Sequence, residues 1–408
     1  MTLQLHKSTI KEQSKITITG SKSESNRLLL LQALYPELEI DNVSNSDDSI
    51  VMQKALASEE KIIDIHHAGT AMRFLTAYFA SKNGRNLVLT GSHRMKERPI
   101  EILVDALNQL GADISFLESH GCPPLEIKGK TLLKHKVTLN ANVSSQYISA
   151  LLLIASRLEN GLELTLDGEI TSIPYINMTL DLLNKVGVTT AFEGQVIIVK
   201  PKIDGLKTTQ LMVESDWSSA SYFYSIVALS TVGTEIELSS YKKESLQGDS
   251  ALANIYKSFG VETVFRRGAI RLKKIKDKLS DLVAFQLNNS PDIAQTIAVT
   301  CLGLGVKCHL TGLHTLKIKE TDRLVALQNE LQKLGGTVDI TGDSLTLHKT
   351  SHLHKNVVIA TYNDHRMAMA FAPLALKVDL NIEDYMVVSK SYPTFWEDLE
   401  TLGFKFSK

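Results

Sequence analysis

Six times along the 408-residue chain a short polar stretch gives way to an apolar run. The runs open near Ser21 (SKSESNRLLLLQAL), His67 (HAGTAMRFLTAYFA), Val143 (VSSQYISALLLIAS), Asp216 (DWSSASYFYSIVAL), Asn289 (NSPDIAQTIAVTCL) and Tyr362 (YNDHRMAMAFAPLAL). Their starts lie 46, 76, 73, 73 and 73 residues apart. Each run is apolar nearly all round, which predicts a helix buried on every side rather than one lying on a surface. A second marker keeps step with the first. LVDALNQLGADISF, LDLLNKVGVTTAF, ALANIYKSFGVETVF, LVALQNELQKLGGTVDI and LETLGFKF each read as an amphipathic helix stopped by glycine, at Gly111, Gly187, Gly260, Gly335 and Gly403. Glycine suits the left-handed position that ends a helix. The alternating Val, Ile, Thr and Phe beyond it read as strands.

The repeating unit is therefore a polar loop, an apolar helix, a strand, an amphipathic helix, a glycine stop and two strands. Helices are expected inside and strands outside, with six units grouping as two sets of three. The first unit, which carries VMQKALASEEKIIDI, lacks the glycine stop and most of a strand pair, which accounts for its short spacing.

Composition narrows the function classes. The 44 basic and 45 acidic residues nearly cancel, so no global field favours nucleic acid. Cys122, Cys301 and Cys308 form no CxxC pair, which argues against a zinc site or a disulfide framework. No run approaches the length that crosses a bilayer, and the amino terminus lacks the apolar core of a signal peptide. A soluble, cytoplasmic protein without membrane or nucleic-acid partners is expected.

Any anion site must come from local clustering, and the apolar helices supply one. Their starts carry Lys22, Ser23 and Arg27; Gly69, Thr70 and Arg73; Ser144, Ser145 and Gln146; Asp216, Ser218 and Ser219; Asp292; and Asp364, His365 and Arg366. Helix N-termini offer unpaired N–H groups and partial positive charge. For Ser23, Ser218 and Ser219 taken singly, ordinary capping is the favoured reading. Lys22, Arg27, Arg73 and Arg366 are different, because the helix dipole opposes cations there. Such violations of local preference mark functional positions. GSKS is a poor P-loop, since no glycine directly precedes Lys22. HLHK at 352–355 reads as a solvated strand rather than a metal site. Two charge runs, Arg94–Lys96–Glu97–Arg98 and Lys317–Lys319–Glu320–Asp322–Arg323, occupy equivalent places before the second helix of a unit.

GSKSESNR, AGTAMR, RMKERPI, SSQYISALL, SIPYI, SPDIAQT, KETDRL, NDHRMAMA and SKSYPTFWEDL occur in the order seen in the 3-phosphoshikimate 1-carboxyvinyltransferase (EPSP synthase) family, which the chain resembles over nearly its whole length. The resemblance implies a two-domain, inside-out α/β barrel fold with three βαβαββ units per domain, the first unit truncated. The upper domain would span 21–213, and the lower would combine 1–20 with 214–408, hinged near 20–21 and 213–216. A cleft that closes on its ligands would hold the site. The implied reaction moves the enolpyruvyl group of phosphoenolpyruvate to the 5-hydroxyl of shikimate 3-phosphate through a tetrahedral intermediate. No metal or organic cofactor is implied, and a monomer is.

By the same resemblance, shikimate 3-phosphate would meet Lys22, Ser23, Arg27, Ser144, Ser145, Gln146, Ser172, Tyr175, Asp292, Thr315 and Lys319. Phosphoenolpyruvate would meet Lys22, Gly69, Arg94, Gln146, Arg323, Arg366 and Lys390. Four anionic groups entering one site need cations to offset their repulsion, and arginine forks suit carboxylate and phosphate. Asp292 and Glu320 would exchange protons, with Glu320 serving the carbon and Asp292 the hydroxyl, and Lys22 and Lys319 donating protons or stabilising charge. Thr315, Phe74 and His67 depart from the family's usual residues. Gly69 is kept, which predicts inhibition by glyphosate in competition with phosphoenolpyruvate. Two alternatives stand beside this reading: the sister enzyme acting on UDP-N-acetylglucosamine, and a ligand-binding scaffold without catalysis. The first usually has a cysteine near His93 and Arg94. The second would be signalled by loss of Lys22, Asp292 or Glu320.

Overall fold

The computed structural model describes residues 1–141, 144–170, 173–202 and 205–408. The chain divides into two compact units, one of Gly20–Val213 and one combining Met1–Thr19 with Glu214–Lys408. Both are mixed α/β.

The Gly20–Val213 unit holds α1 (Lys22–Leu34), α2 (Asp47–Ala57), α3 (Gly69–Ser81), α4 (Glu101–Gln109), α5 (Ser145–Ala155) and α6 (Ile173–Lys185). One sheet runs Ile62–Asp64, Asn86–Thr90, Leu125–Lys128, Ile114–Phe116, with the first pair parallel and the others antiparallel. A second, Lys136–Asn140, Leu162–Asp167, Val196–Val199, Thr190–Glu193, repeats that topology. The third keeps only the parallel pair, Gln210–Met212 on Glu39–Asp41. That is the short unit. The chain passes from Glu39–Asp41 through α2 straight to Ile62–Asp64, with no hairpin between.

Serines fasten α2 where a hairpin is missing. Ser44 N donates to Ser25 Oγ at 2.9 Å, and Ser44 Oγ to Ser46 Oγ at 3.0 Å. Ser46 Oγ donates to Ser49 Oγ at 3.1 Å, and Ser49 Oγ to Asn26 Oδ1 at 2.9 Å. Every member is buried, so each hydroxyl must find a partner, and the chain of them ties α2 to α1.

The Met1–Thr19 and Glu214–Lys408 unit holds α7 (Trp217–Leu229), α8 (Leu252–Ile255), α9 (Ala294–Leu304), α10 (Arg323–Lys333), α11 (His365–Phe371) and α12 (Phe395–Leu402). Among the described residues its three sheets share the same parallel–antiparallel–antiparallel topology. In one of them the amino-terminal strand Thr2–His6 sits between Leu380–Glu383 and Lys405–Ser407. The chain ends are thus stitched into one sheet.

The apolar runs are buried helices. Every residue of α3 except Ser81, and every residue of α7 except Ser218, is buried. Helices α3 and α5 pack together, as do α7, α9 and α11, so the apolar runs bury one another within each unit. All five stop glycines carry positive φ, between 74° and 111°. The stretch 352–355 is an exposed loop rather than the expected strand, with His354 Nδ1 against the Lys333 carbonyl at 2.9 Å. No helix among the described residues is long and apolar enough to cross a membrane.

Candidate active site

In the Gly20–Val213 unit the helix starts are sparsely capped. Neither Ser21 before α1 nor Ala68 before α3 makes a side-chain cap, which leaves donors for an anion. Ser144 does cap α5, accepting from Gln146 N. Lys22 pairs with buried Asp48 at 3.3 Å. Arg27 is buried and bonds to neutral acceptors. Its Nε donates to Thr179 Oγ1 at 2.7 Å, Nη1 to the Ser23 carbonyl at 2.8 Å, and Nη2 to Ser149 Oγ at 2.9 Å and the Tyr175 carbonyl at 3.4 Å. Its guanidinium carbon lies 5.5 Å from the centre of the Phe74 ring. Burial pulls Arg27 down to about 10, only partly offset by Tyr175 and Glu24.

Arg73 likewise bonds neutral acceptors. It donates to the Gly69 carbonyl at 2.9 Å and the Pro99 carbonyl at 3.4 Å, and its buried Nε has no partner among the described residues. Gln146 Nε2 donates to Thr70 Oγ1 at 3.1 Å, joining the starts of α5 and α3. Gly69 lets two guanidinium groups come close: a Cβ there would lie 2.6 Å from Arg98 Nη1 and 3.0 Å from Arg73 Nη1, so those side-chain ends would have to shift. Arg94, by contrast, is about half exposed and paired with Glu97 at 2.8 Å.

The other unit gathers charges of both signs. Arg323, at the first position of α10, donates from Nε to Asp364 Oδ2 at 2.6 Å, from Nη1 to Asp292 Oδ1 at 3.0 Å and from Nη2 to Glu320 Oε2 at 2.8 Å. Lys390 Nζ donates to Glu320 Oε1 at 2.7 Å, so this carboxylate is gripped from two sides. Arg366 Nη2 donates to Asp292 Oδ2 at 3.0 Å, and Lys319 Nζ lies 3.5 Å from Asp292 Oδ1. Burial would raise Asp292, but Arg366, Lys319 and Arg323 outweigh it and hold the group far below the carboxylate range. Lys319 falls below its ordinary value: Asp292 pulls it up, yet burial and the nearby Arg323 charge win. That shift suits a lysine that gives up a proton.

A further acid stands behind Arg366. Ser218 Oγ donates to Asp249 Oδ2, and Arg366 Nη2 donates to Ser218 Oγ at 3.3 Å. Burial, with the Asp292 charge nearby, pushes Asp249 up to about 7. The arrangement pairs a carboxylate held ionised, Asp292, with one poised to be protonated. Environments that split two acids in this way occur at proton-transfer sites and also in structural ion-pair networks.

Comparison with known proteins places the chain in a family. The family model described as EPSP synthase (3-phosphoshikimate 1-carboxyvinyltransferase) matches residues 51–399. The chain is 46% identical over 397 residues to the 3-phosphoshikimate 1-carboxyvinyltransferase of Bacteroides fragilis strain YCH46, covering 96% of each. The chain belongs to the EPSP synthase family. It is also 36% identical over 425 residues to the enzyme of that name from Actinobacillus pleuropneumoniae serotype 5b, again covering 96% of each. The EPSP synthase structure from Acinetobacter baumannii superposes with a TM-score of 0.81 at 20% identity, covering 100% of both chains, which supports the fold.

Within an EPSP synthase fold, the residues singled out from sequence fall into two sets. Lys22, Ser23, Arg27, Gly69, Arg94, Ser144, Ser145, Gln146 and Tyr175 lie in the Gly20–Val213 unit, and Asp292, Thr315, Lys319, Glu320, Arg323, Arg366 and Lys390 in the other. Ser172 lies outside the described residues. Thr315 Oγ1 is buried with no partner among the described residues, so a polar ligand atom would satisfy it. The capping reading of the serines is corrected. Asp216, not Ser218 or Ser219, caps α7 by accepting from Ser219 N at 2.8 Å, and Ser23 caps nothing. The capping oxygen goes to the carboxylate, whose charge suits the dipole, and Ser218 is left to bond Asp249. Sequence reasoning missed Asp249 and the approach of Arg98 to Gly69. QGDS carries no signal that its acid packs against Ser218 some thirty positions earlier.

Proposed function

We propose that the chain transfers the enolpyruvyl group of phosphoenolpyruvate to the 5-hydroxyl of shikimate 3-phosphate, releasing phosphate. The observation that carries this reading is the network of Asp292, Glu320, Arg323, Arg366, Lys319 and Lys390 in a chain related end to end to enzymes of that name. Lys22, Ser23, Arg27, Ser144, Ser145, Gln146, Ser172, Tyr175, Asp292, Thr315 and Lys319 take shikimate 3-phosphate. Lys22, Gly69, Arg94, Gln146, Arg323, Arg366 and Lys390 take phosphoenolpyruvate. Arg94 must leave Glu97 to do so, a small cost for an exposed pair.

The charge balance supports the chemistry. Asp292 is held ionised by three cations, which makes it a weak base before ligands arrive. A phosphate or carboxylate on Arg366 and Arg323 offsets those cations, so Asp292 becomes a stronger base when the hydroxyl must lose its proton. Glu320 faces Arg323 and Lys390 and is the partner proposed for the methylene carbon. Addition gives a tetrahedral intermediate. Elimination returns a proton from the new methyl group as phosphate leaves. The protonation roles of Asp292, Glu320, Lys22 and Lys319 act as a coupled set.

The finer architecture follows the same reading. The domains are 21–213 and 1–20 with 214–408, each an inside-out α/β arrangement of βαβαββ units with the first unit shortened, working as a cytoplasmic monomer. The shared sheet topology and the buried helices support the repeated arrangement. Glyphosate is expected to compete with phosphoenolpyruvate, since Gly69 leaves Arg98 and Arg73 close to its backbone. The test is phosphate release from phosphoenolpyruvate with shikimate 3-phosphate, then with UDP-N-acetylglucosamine. Release with the first alone is expected, and release with the second alone would assign the sister activity.

A further inference from the structure

Helix α10 places Arg323 at its first position and Glu330 seven residues on, two turns away and on the same face. Arg323 bonds Asp364, as described. Glu330 is fully buried and reaches an earlier part of the same segment. Its Oε1 accepts from the Tyr362 hydroxyl at 2.7 Å and its Oε2 from Ala360 N at 3.1 Å, while Lys333 bonds both oxygens at 2.8 Å. One helix therefore grips residues 360–364 at two points.

Between those points the backbone is strained. Tyr362 and Asn363 have φ of 54° and 55°. Two successive non-glycine residues in the left-handed region are unfavourable, most of all for a bulky tyrosine. Such strain persists only where surroundings over-determine it. The turn is closed by Asp364 N donating to the Thr361 carbonyl at 2.8 Å. It delivers fully buried Asp364, which bonds Arg323 with both oxygens and caps α11 by accepting from Arg366 N at 2.9 Å. Arg366 follows as the second residue of α11.

We propose that Glu330 and Tyr362 are a positioning pair: they hold the strained Tyr362–Asn363 turn, and through Asp364 they set Arg323 and Arg366 for the anionic donor substrate. Neither side chain touches the reacting atoms. The inference rests on the proposed function for its choice of substrate. It separates the pair from residues that merely stabilise the fold, because its effect falls on one substrate.

The test uses full-length Tyr362→Phe and Glu330→Gln. Tyr362→Phe removes one hydroxyl, and Glu330→Gln keeps the shape but loses the charge. The expected result in each is a KM for phosphoenolpyruvate raised about ten-fold, the loss of one bond to a charged group, with the KM for shikimate 3-phosphate within about two-fold. The double variant should do less than the sum of the two single ones, since both act on the Glu330–Tyr362 contact. Unchanged KM values, or equal rises for both substrates, would overturn the proposal. Should Glu330→Gln fail to fold, Tyr362→Phe carries the test. If the wild type turns over neither substrate, the functional reading fails by itself. The pair is then judged by the crystal structure of Tyr362→Phe, where an Asp364–Arg323 contact kept at its present length overturns it and a broken one supports it.

Discussion

The two units surround their buried arginines differently, although Lys22 and Arg94 of the first also pair with the carboxylates of Asp48 and Glu97. In Gly20–Val213, Arg27 and Arg73 are buried yet bond only hydroxyl and carbonyl oxygens among the described residues. In the other unit, Arg323, Arg366, Lys319 and Lys390 are each matched to Asp292, Glu320 or Asp364. A buried cation with neutral partners is incompletely compensated and gains when an anion arrives. A cation already matched to carboxylates gains less, but it holds those carboxylates in place. On the proposed function, Arg27 and Arg73 serve to bind charge and the second unit's network to hold acids and bases in register.

The comparison can be broken by removing one member of each set. Glu320→Ala is expected to have the largest effect, lowering turnover by on the order of 10³-fold or more, as loss of a positioned proton carrier does. Near-normal turnover would remove Glu320 from the proton chemistry. Arg27→Gln comes next. It should weaken shikimate 3-phosphate binding by about ten-fold or more, the value of a charged hydrogen bond, and the loss should change little with salt, since Arg27 is buried. Gly69→Ala should be milder. The added methyl must displace Arg98, whose Nη1 would sit 2.6 Å away, raising the KM for phosphoenolpyruvate by about ten-fold and weakening glyphosate at least as much. An unaltered KM would show that the Arg98 approach plays no part in binding.

The smallest expected effect sharpens the acid–base half of the comparison. Asp249, at about 7 in the folded chain, sits above its unfolded value of about 4. Between those values the folded state holds more protons than the unfolded one, so stability falls as pH rises from about 4 to about 7. Asp292 has the opposite sign: its lowered value stabilises the fold above about pH 4 and that contribution is lost on acidification. Asp249→Asn should flatten the decline between about pH 4 and 7 and leave the acid limb alone. Thermal melts across that range check it, and an unchanged slope would show that Asp249 is ionised throughout.

Much of this arrangement is legible from residue order. Apolar runs of uniform character can only be central helices, and the stop glycines mark positions where only a left-handed backbone ends the helix. The short spacing of the first unit reads directly as the two-stranded sheet. What sequence hides is pairing across distance. Nothing in Ser44, Ser46 and Ser49 shows that they bond into a chain replacing a hairpin. Nothing in the run from Arg94 to Arg98 shows that Arg98 packs on Gly69 while Arg94 faces Glu97. The strained turn at Tyr362 and Asn363 is hidden for another reason: it contains no glycine and is held by Glu330, more than thirty positions earlier.

The division of labour between the units is tested most directly by calorimetric titration of shikimate 3-phosphate into the wild type, Glu320→Ala and Arg27→Gln side by side. The account predicts that Glu320→Ala binds within about two-fold of the wild type, while Arg27→Gln binds about ten-fold or more weakly. The reverse order, with Glu320→Ala losing the ligand and Arg27→Gln keeping it, would contradict it.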